Sequence, residues 1–285
     1  MTQDVLLIRE KGHPVNKPFP FLKWAGGKRQ LISQMDNFFP KKYNKYIEPF
    51  IGGGAVFFHL LPENSIISDD NPDLINCYKV IKEDVESLIK SLEKHRYEKN
   101  YYYEIRALDR DNKKFAKLSD VEKASRSIYL NKTGYNGLYR VNSKGLFNVP
   151  FGRHKNPKIC DQTNLRNVSQ ALKKVEIFRG SFEICLDFAE KDDFIYFDPP
   201  YYPLSDTALF TSYTKNSFDK SSQIKLFEVF KELNRRECHV ILSNSYSEFI
   251  LDLYKGFKVV TLKANRNKNS NSEKRGLIKE VLILN

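Results

Sequence analysis

Cysteine is scarce in this 285-residue chain, and its distribution excludes more than its number does. Cys77, Cys160, Cys185 and Cys238 lie far apart with no C-x-x-C pair, which argues against a disulfide framework or a thiolate metal site. The five histidines (His13, His59, His95, His154, His239) are equally scattered, so no metal-ligand set is expected. No apolar run approaches the ~20 residues of a membrane-spanning helix. The first ten residues place acids beside four apolar residues, a pattern too short and wrongly flanked for a signal peptide. These absences predict a reduced, cytoplasmic protein with no membrane association. Acidic residues are missing locally as well. Between Leu130 and Cys160 there are six Lys/Arg (Lys132, Arg140, Lys144, Arg153, Lys155, Lys158) and no Asp or Glu.

That basic segment sits in a chain of formal charge +12, which points to a polyanionic partner. It also carries Tyr135, Tyr139, Phe147 and Phe151, with Asn131, Asn136, Asn142 and Asn148. Cations for phosphates, aromatics for stacking and amides for base edges together suit a nucleic-acid face. A hairpin stabilised by Asn/Gly turns explains the glycines but not the arginines. A second basic stretch, Lys263–Gly276, has five Lys/Arg against Glu273 alone and suits a phosphate-contacting or lid loop.

Short β-type runs alternate with longer helical patterns, which favours a parallel α/β sheet. Strands are expected at Tyr46–Phe50, Ser65–Ser68, Val175–Arg179, Phe194–Phe197 and His239–Ser243, with a closing hairpin-like pair at Phe257–Leu262 and Lys279–Leu284. Helices are expected at Ala55–Leu61, Leu74–Tyr97, Tyr101–Ser127 and Ser221–Asn234. The hundred-odd residues between the second and third strands read as an inserted domain.

Two strand ends carry chemistry. Asp198-Pro199-Pro200-Tyr201 follows the apolar run Phe194–Phe197. Its prolines forbid both strand pairing and helix continuation, so the loop offers carbonyl acceptors, an acid and an aromatic ring. Such a set suits a flat substrate bearing an amino group; taken alone, the four residues read more readily as a strand-ending turn. Gly52-Gly53-Gly54 follows the first strand and would let a ligand approach the backbone. Asp69, at the end of the second strand, can accept both hydroxyls of a ribose or cap a helix. No G-x-G-x-x-G fingerprint is present. The segment Trp24-Ala-Gly-Gly-Lys28-Arg-Gln lacks P-loop spacing and has Arg29 where a magnesium-binding Ser/Thr would stand, which disfavours an ATPase.

The motifs taken in order resemble the group-alpha adenine-N6 DNA methyltransferases of the Dam type. They are Phe21-Leu22-Lys23-Trp24-Ala25-Gly26-Gly27-Lys28, Glu48-Pro49-Phe50-Ile51-Gly52-Gly53-Gly54, Asp69, Tyr135-Asn136-Gly137-Leu138-Tyr139-Arg140 through Phe147-Asn148-Val149-Pro150-Phe151-Gly152-Arg153, and Asp198-Pro199-Pro200-Tyr201. The resemblance implies a seven-stranded, mostly parallel, Rossmann-like class I methyltransferase sheet with an inserted, mainly helical target-recognition domain. The catalytic domain would comprise residues 1–72 and 170–285, and the recognition domain 73–169.

It further implies S-adenosylmethionine as methyl donor, leaving as S-adenosylhomocysteine, with no metal. Trp24, Lys28, Phe50, Gly52, Gly54, Asp69 and Asp198 would form the cofactor site, although Trp24 and Phe50 also suit core packing and Lys28 a surface cation. Asp198, Pro199, Pro200 and Tyr201 would clamp a flipped adenine, Asp198 acting as acceptor and positioner. On double-stranded DNA, Arg140 would read guanine, Leu138 and Pro150 would meet thymine methyls and neighbouring base edges, and Tyr135 and Asn136 would intrude where the adenine leaves. Lys23 would touch the first base pair, Arg153 and Lys132 would hold phosphates, and Asn142 belongs to the same face. The target implied is GATC. The protein would sit in the cytoplasm on the nucleoid, and a cognate restriction endonuclease sharing its target would need no stable complex. Cytosine-N4 methylation would use the same loop, and a catalytically silent DNA-binding protein would share the fold but need defects at the cofactor positions.

Overall fold

A computed structural model describes residues 17–204, 218–265 and 277–285. Seven strands form one sheet: β1 (Tyr46–Glu48), β2 (Ser65–Asp69), β3 (Val175–Arg179), β4 (Phe194–Phe197), β5 (His239–Ser245), β6 (Lys258–Asn265) and β7 (Leu277–Leu284). Their spatial order is β3-β2-β1-β4-β5-β7-β6. Only β7 runs antiparallel to its neighbours, whereas β1 pairs in parallel with both β2 and β4. The expected seven-stranded, mostly parallel sheet is therefore present. β1 is shorter than the Tyr46–Phe50 expected, because Pro49 cannot donate to a ladder.

Alternation along the strands divides the core. Tyr46, Ile67, Phe194 and Tyr196 face one buried cluster with Val56, Phe57, Leu74, Tyr78, Ile128 and Leu165. Ile47, Ile66, Ile195 and Phe197 face the other, with Leu226, Phe230, Leu233, Val240 and Tyr254. A central strand buried on both faces needs apolar residues throughout, and all four residues of β4 are buried. After β1 the chain turns to β2 and β3 on one side; after β4 it turns to β5 on the other. The β1/β4 junction is thus a topological switch point, where ligands of open α/β sheets bind beyond the strand carboxyl ends.

The long helical patterns between β2 and β3 are broken by their own capping residues. Helix α1 (Ala55–Leu60) precedes β2, and α2 (Pro72–Glu83) follows it with Asn71 accepting from the Leu74 N–H at 3.1 Å. Asp84 ends α2 and caps α3 (Val85–Leu92) through the Ser87 N–H, so the run expected over Leu74–Tyr97 is two helices. The Tyr101–Ser127 run likewise separates into α4 (Lys99–Ala107), a short helix Asn112–Ala116 capped by Asp111, and α5 (Asp120–Thr133). Ser119 and Glu122 form a reciprocal capping box at the start of α5. Short polar side chains that compete for backbone N–H groups explain each break.

Residues of α2, α3 and α5 belong to the same buried cluster as the sheet face. Tyr102, Tyr129, Leu130, Phe147 and Val149 form a separate, smaller cluster. That cluster supports an irregular hairpin, bridged at Gly134–Phe151 and Val141–Phe147. Buried Asp109 accepts from the Phe147 N–H at 2.8 Å and pairs with Arg126 at 2.8 Å and with Arg110. The Val149 carbonyl accepts from the Tyr102 hydroxyl at 2.9 Å and from Arg106 at 3.2 Å. The hairpin is consequently a rigid extension of α4 and α5.

Candidate functional site

The carboxyl ends of β1 and β2 hold the glycine turn. Gly52 and Gly54 have φ of 47° and 70°, in the left-handed region. A Cβ on Gly52 would lie 2.8 Å from Trp24 Cδ1, and one on Gly54 would lie 2.7 Å from the Tyr78 hydroxyl oxygen. The Tyr78 hydroxyl donates to the Gly52 carbonyl at 3.0 Å. Asp69 accepts from the Gly52 N–H at 3.2 Å and the Asn71 N–H at 3.0 Å. Asp69 therefore braces the turn, and the helix capping that the sequence allowed for Asp69 is performed by Asn71. Burial raises the Asp69 pKa from 3.8 to about 6, against the opposing pull of those backbone donors. A turn kept free of side chains, with a partly exposed carboxylate beside it, fits a ribose-bearing ligand.

Asp198 leaves β4 next to this turn. Its Oδ1 lies 2.6 Å from Lys28 Nζ, which also donates to the Gly26 carbonyl at 2.8 Å. Lys28 is 3% exposed, so it is not the surface cation that sequence allowed. The same ammonium stands 4.6 Å from the centre of the Tyr201 ring. Burial raises the Asp198 pKa, and the Lys28 charge opposes that shift. Behind them, buried Glu48 accepts from the Tyr46 hydroxyl at 2.8 Å; burial drives its pKa well above the usual carboxylate range, with the neighbouring Asp198 charge adding to the shift.

The proline loop is held from two sides. The Pro200 carbonyl accepts from Gln223 at 3.0 Å, and Gln223 in turn accepts from Asn244 at 3.0 Å. Asn244 Oδ1 receives the Tyr202 N–H at 3.1 Å. On the opposite side the Tyr201 hydroxyl donates to Glu280 Oε2 at 2.7 Å. Among the described residues nothing donates to the Pro199 carbonyl, which leaves that acceptor without a protein partner. Phe50 stacks on Phe182 at 5.5 Å and meets Phe218 and Phe197 edge-on, which makes core packing its visible role.

The basic hairpin meets the site through Lys23 and Trp24. Buried Asn131 exchanges hydrogen bonds with the Lys23 backbone at 2.9 and 2.8 Å and donates to the Gly137 carbonyl at 2.9 Å. It is a clip rather than the base-edge amide expected. Asn136 has φ 56° and is exposed beside Tyr135, which is 53% exposed. Arg140 is exposed, and its Nε donates to Asn148 Oδ1 at 2.7 Å. Asn148 thus aims the guanidinium instead of facing outward on its own. Asn142 accepts from the Lys144 and Leu146 N–H groups, both at 3.0 Å, and shapes the hairpin turn. Pro150 and Arg153 are exposed and Leu138 is half-buried on the same hairpin. Lys132 is half-buried, and burial lowers its pKa, which suits it less to a phosphate than its sequence context suggested.

Three aromatics expected to stack on bases are committed elsewhere. Phe147 is buried, Phe151 packs beside Tyr97 and Tyr102, and Tyr139 stacks on Trp24. Sequence reasoning also passed over Glu48, Gln223, Asn244 and Glu280. Glu48 stands in the motif Glu48-Pro49-Phe50 and was the one with a local signal; Asn244 on β5, Glu280 on β7 and Gln223 on the helix Lys220–Arg235 reach the site only through tertiary packing. Of the Lys263–Gly276 segment, Lys263–Asn265 belong to β6 and the remainder lie outside the described residues. Among the described residues there is no group of three or more His, Cys, Asp or Glu placed to hold a metal ion, and no helix is long and apolar enough to cross a membrane. Cys77, Cys160, Cys185 and Cys238 are free thiols.

Comparison with known proteins identifies the family of the chain. The family described as D12 class N6 adenine-specific DNA methyltransferase matches residues 24–268. The chain is 48% identical over 286 residues to type II methyltransferase M.MjaIII of Methanocaldococcus jannaschii, covering 93% of this chain and 98% of that one. It is 46% identical over 270 residues to type II methyltransferase M1.LlaDCHI of Lactococcus lactis subsp. cremoris, covering 93% and 95%. The DNA adenine methylase of Haemophilus influenzae is 36% identical over 278 residues, covering 95% of each chain.

Proposed function

The chain belongs to the D12 class of N6 adenine-specific DNA methyltransferases, and we propose that it methylates the adenine of GATC in double-stranded DNA. The observation that carries this reading is the placement of Lys28. An N–H donor already rests on Asp198 Oδ1 at 2.6 Å and beside the Tyr201 ring at 4.6 Å. Those are the two contacts an extruded adenine amino group requires: a carboxylate acceptor and an aromatic face.

The family uses S-adenosylmethionine, and the residues at the switch point fit it. Asp69 would take the ribose hydroxyls, the Gly52–Gly54 turn would admit the methionine portion, and Trp24, Lys28 and Phe50 would complete the site. Bound there, the cofactor supplies a methyl group activated by its sulfonium, so the chain has only to orient and polarise the acceptor. Asp198 and the Pro199 carbonyl would accept hydrogen bonds from the two N6–H groups. That turns the nitrogen lone pair out of the ring plane and stabilises the positive charge that grows on nitrogen. The Lys28 charge opposes the upward push that burial gives the Asp198 pKa, and so favours the ionised acceptor. Tyr201 stacks on the base and offsets part of the few kcal/mol needed to flip it.

Residues 73–169 would serve target recognition, and 1–72 with 170–285 catalysis. Arg140, aimed by Asn148, would read guanine in the major groove. Lys23, Leu138 and Pro150 would meet the remaining base pairs, with Tyr135 and Asn136 beside the vacated position. Asn142 would support the hairpin tip, while Arg153 would face phosphates. The type II relatives favour a protective role beside a restriction endonuclease of the same target, without a stable complex.

Expression in a host free of adenine methylation, followed by methylation-sensitive sequencing, tests the reading. N6-methyladenine at GATC is expected. Methylation of adenine in another sequence would overturn the target, and N4-methylcytosine would overturn the acceptor. Asp198→Ala should lower turnover by about a hundredfold or more while DNA still binds.

A further inference from the structure

The hydroxyl of Tyr201 has a partner that comes from the far side of the sheet. Glu280 lies on β7, the one strand that runs against the others, opposite Ser245 on β5 and Leu262 on β6. Because β7 is reversed, its early residues emerge at the edge where β1 and β4 deliver the glycine turn and Asp198. Glu280 Oε2 accepts the Tyr201 hydroxyl at 2.7 Å, and both side chains are half-buried. No other hydrogen bond or ion pair of the Glu280 side chain exists among the described residues. The carboxylate also bears on the site electrostatically: its charge adds to that of burial in raising the Asp198 pKa, whereas Lys28 opposes both.

We propose that Glu280 is a positioning residue for methyl transfer, fixing the plane of the Tyr201 ring so that the flipped adenine stacks with its amino group on Asp198. A tyrosine whose hydroxyl is free can rotate about its χ1 bond once Lys28 is displaced from its face. Held at the hydroxyl end by Glu280 and at the backbone by the Pro200–Gln223–Asn244–Tyr202 relay, the ring is restrained at both ends. Misalignment of the acceptor by as little as about an ångström is enough to cost roughly a hundredfold in rate. The inference rests on the reading of Asp198–Tyr201 as an adenine clamp.

The test is steady-state kinetics of the full-length enzyme with GATC-containing duplex, comparing Glu280→Ala, Glu280→Gln, Tyr201→Phe and the double variant Glu280→Ala/Tyr201→Phe. Glu280→Ala and Tyr201→Phe should each lower kcat about tenfold, with the KM for S-adenosylmethionine unchanged. Glu280→Gln, which keeps an acceptor oxygen, should recover most of the kcat lost in Glu280→Ala. The double variant should be no slower than either single one, because both remove the same bond. Losses that multiply in the double variant, or a Glu280→Gln as slow as Glu280→Ala, would overturn the proposal in favour of a charge effect. Full kcat in Glu280→Ala would overturn it outright. Unfolding midpoints of each variant identify any that fail to fold, and Tyr201→Phe, which alters one hydroxyl, carries the test in that case. If the wild-type enzyme yields no N6-methyladenine, the clamp reading itself fails; if it does and Tyr201→Ala is inactive while Glu280→Ala is not, only the role of Glu280 fails.

Discussion

The indole of Trp24 stacks on the ring of Tyr139, with centroids 5.3 Å apart and planes inclined by 29°. Tyr139 in turn donates its hydroxyl to Asp73 Oδ2 at 2.9 Å. Trp24 borders the glycine turn, Asp73 stands in the first turn of α2 just beyond Asp69, and Arg140 follows Tyr139 directly. One aromatic pair therefore ties the glycine turn proposed to hold the cofactor to the hairpin proposed to read DNA.

Tyr139→Ala is expected to weaken both S-adenosylmethionine binding, followed by calorimetry, and duplex binding, followed by fluorescence anisotropy. Tyr139→Phe keeps the stack and loses only the bond to Asp73, so it should cost about 1 kcal/mol in urea unfolding with little change in either affinity. Loss of one affinity without the other in Tyr139→Ala would show that the pair does not couple the two sites.

Gly52→Ala should raise the KM for the cofactor at least about tenfold and destabilise the fold by roughly 1–3 kcal/mol, since a Cβ there meets both a positive φ and the Trp24 ring. Gly145 supplies the control. It also has positive φ, 75°, yet a Cβ there meets nothing within 4 Å. Gly145→Ala should lose about 1 kcal/mol of stability and leave cofactor KM unaltered.

The raised pKa of Asp69 sets a pH dependence with a defined sign. Its folded value, about 6, lies above the ordinary 3.8, so the protonated form favours the fold. That contribution is complete below about pH 4 and is lost as pH rises through 6. Cofactor binding runs the other way, because the ionised carboxylate is the better acceptor for ribose hydroxyls. Affinity for S-adenosylmethionine should fall as pH drops through about 6, and in Asp69→Asn this pH dependence should disappear at a uniformly weaker affinity. Titration calorimetry between pH 5 and 8, approximate limits chosen to bracket that transition, reads both effects.

Arg140→Ala is expected to relax target choice at one base pair, a loss of about 1–3 kcal/mol of discrimination, with a smaller change in total DNA affinity. Asn148→Ala should shift specificity in the same direction but less, since it releases the Arg140 guanidinium without removing it. Arg153→Ala should instead weaken binding to all sequences and flatten its salt dependence. Methylome sequencing and salt titrations of binding distinguish the two behaviours.

The strands were legible from their local residue patterns: Phe194–Phe197 begins and ends where its apolar run does, and Val175–Arg179 has the bounds expected of it although it carries Glu176 and Arg179. The helical segments were legible in type but not in extent. Asp84, Asp111 and Ser119 each compete for the backbone N–H groups of the next turn, and composition over a long window hides a single cap. Tyr139 and Asn131 illustrate a different failure. Both have the chemistry of nucleic-acid contacts and both are spent inside the protein, a choice made by which neighbour reaches them first.

The residue order of this chain by itself determined the alternation of strands and helices, the absence of acids from residues 130–160, and the motifs that mark it as an adenine-specific DNA methyltransferase. These are local properties, set by side-chain periodicity, by proline and glycine, and by short runs of charge. Tertiary structure alone decided that Lys28 lies buried against Asp198, that Trp24 meets Tyr139, and that a reversed final strand brings Glu280 to the hydroxyl of Tyr201. Each of those contacts joins residues distant in sequence. Tertiary packing selects the partner in every case, and it is not written in the neighbourhood of the residues that meet.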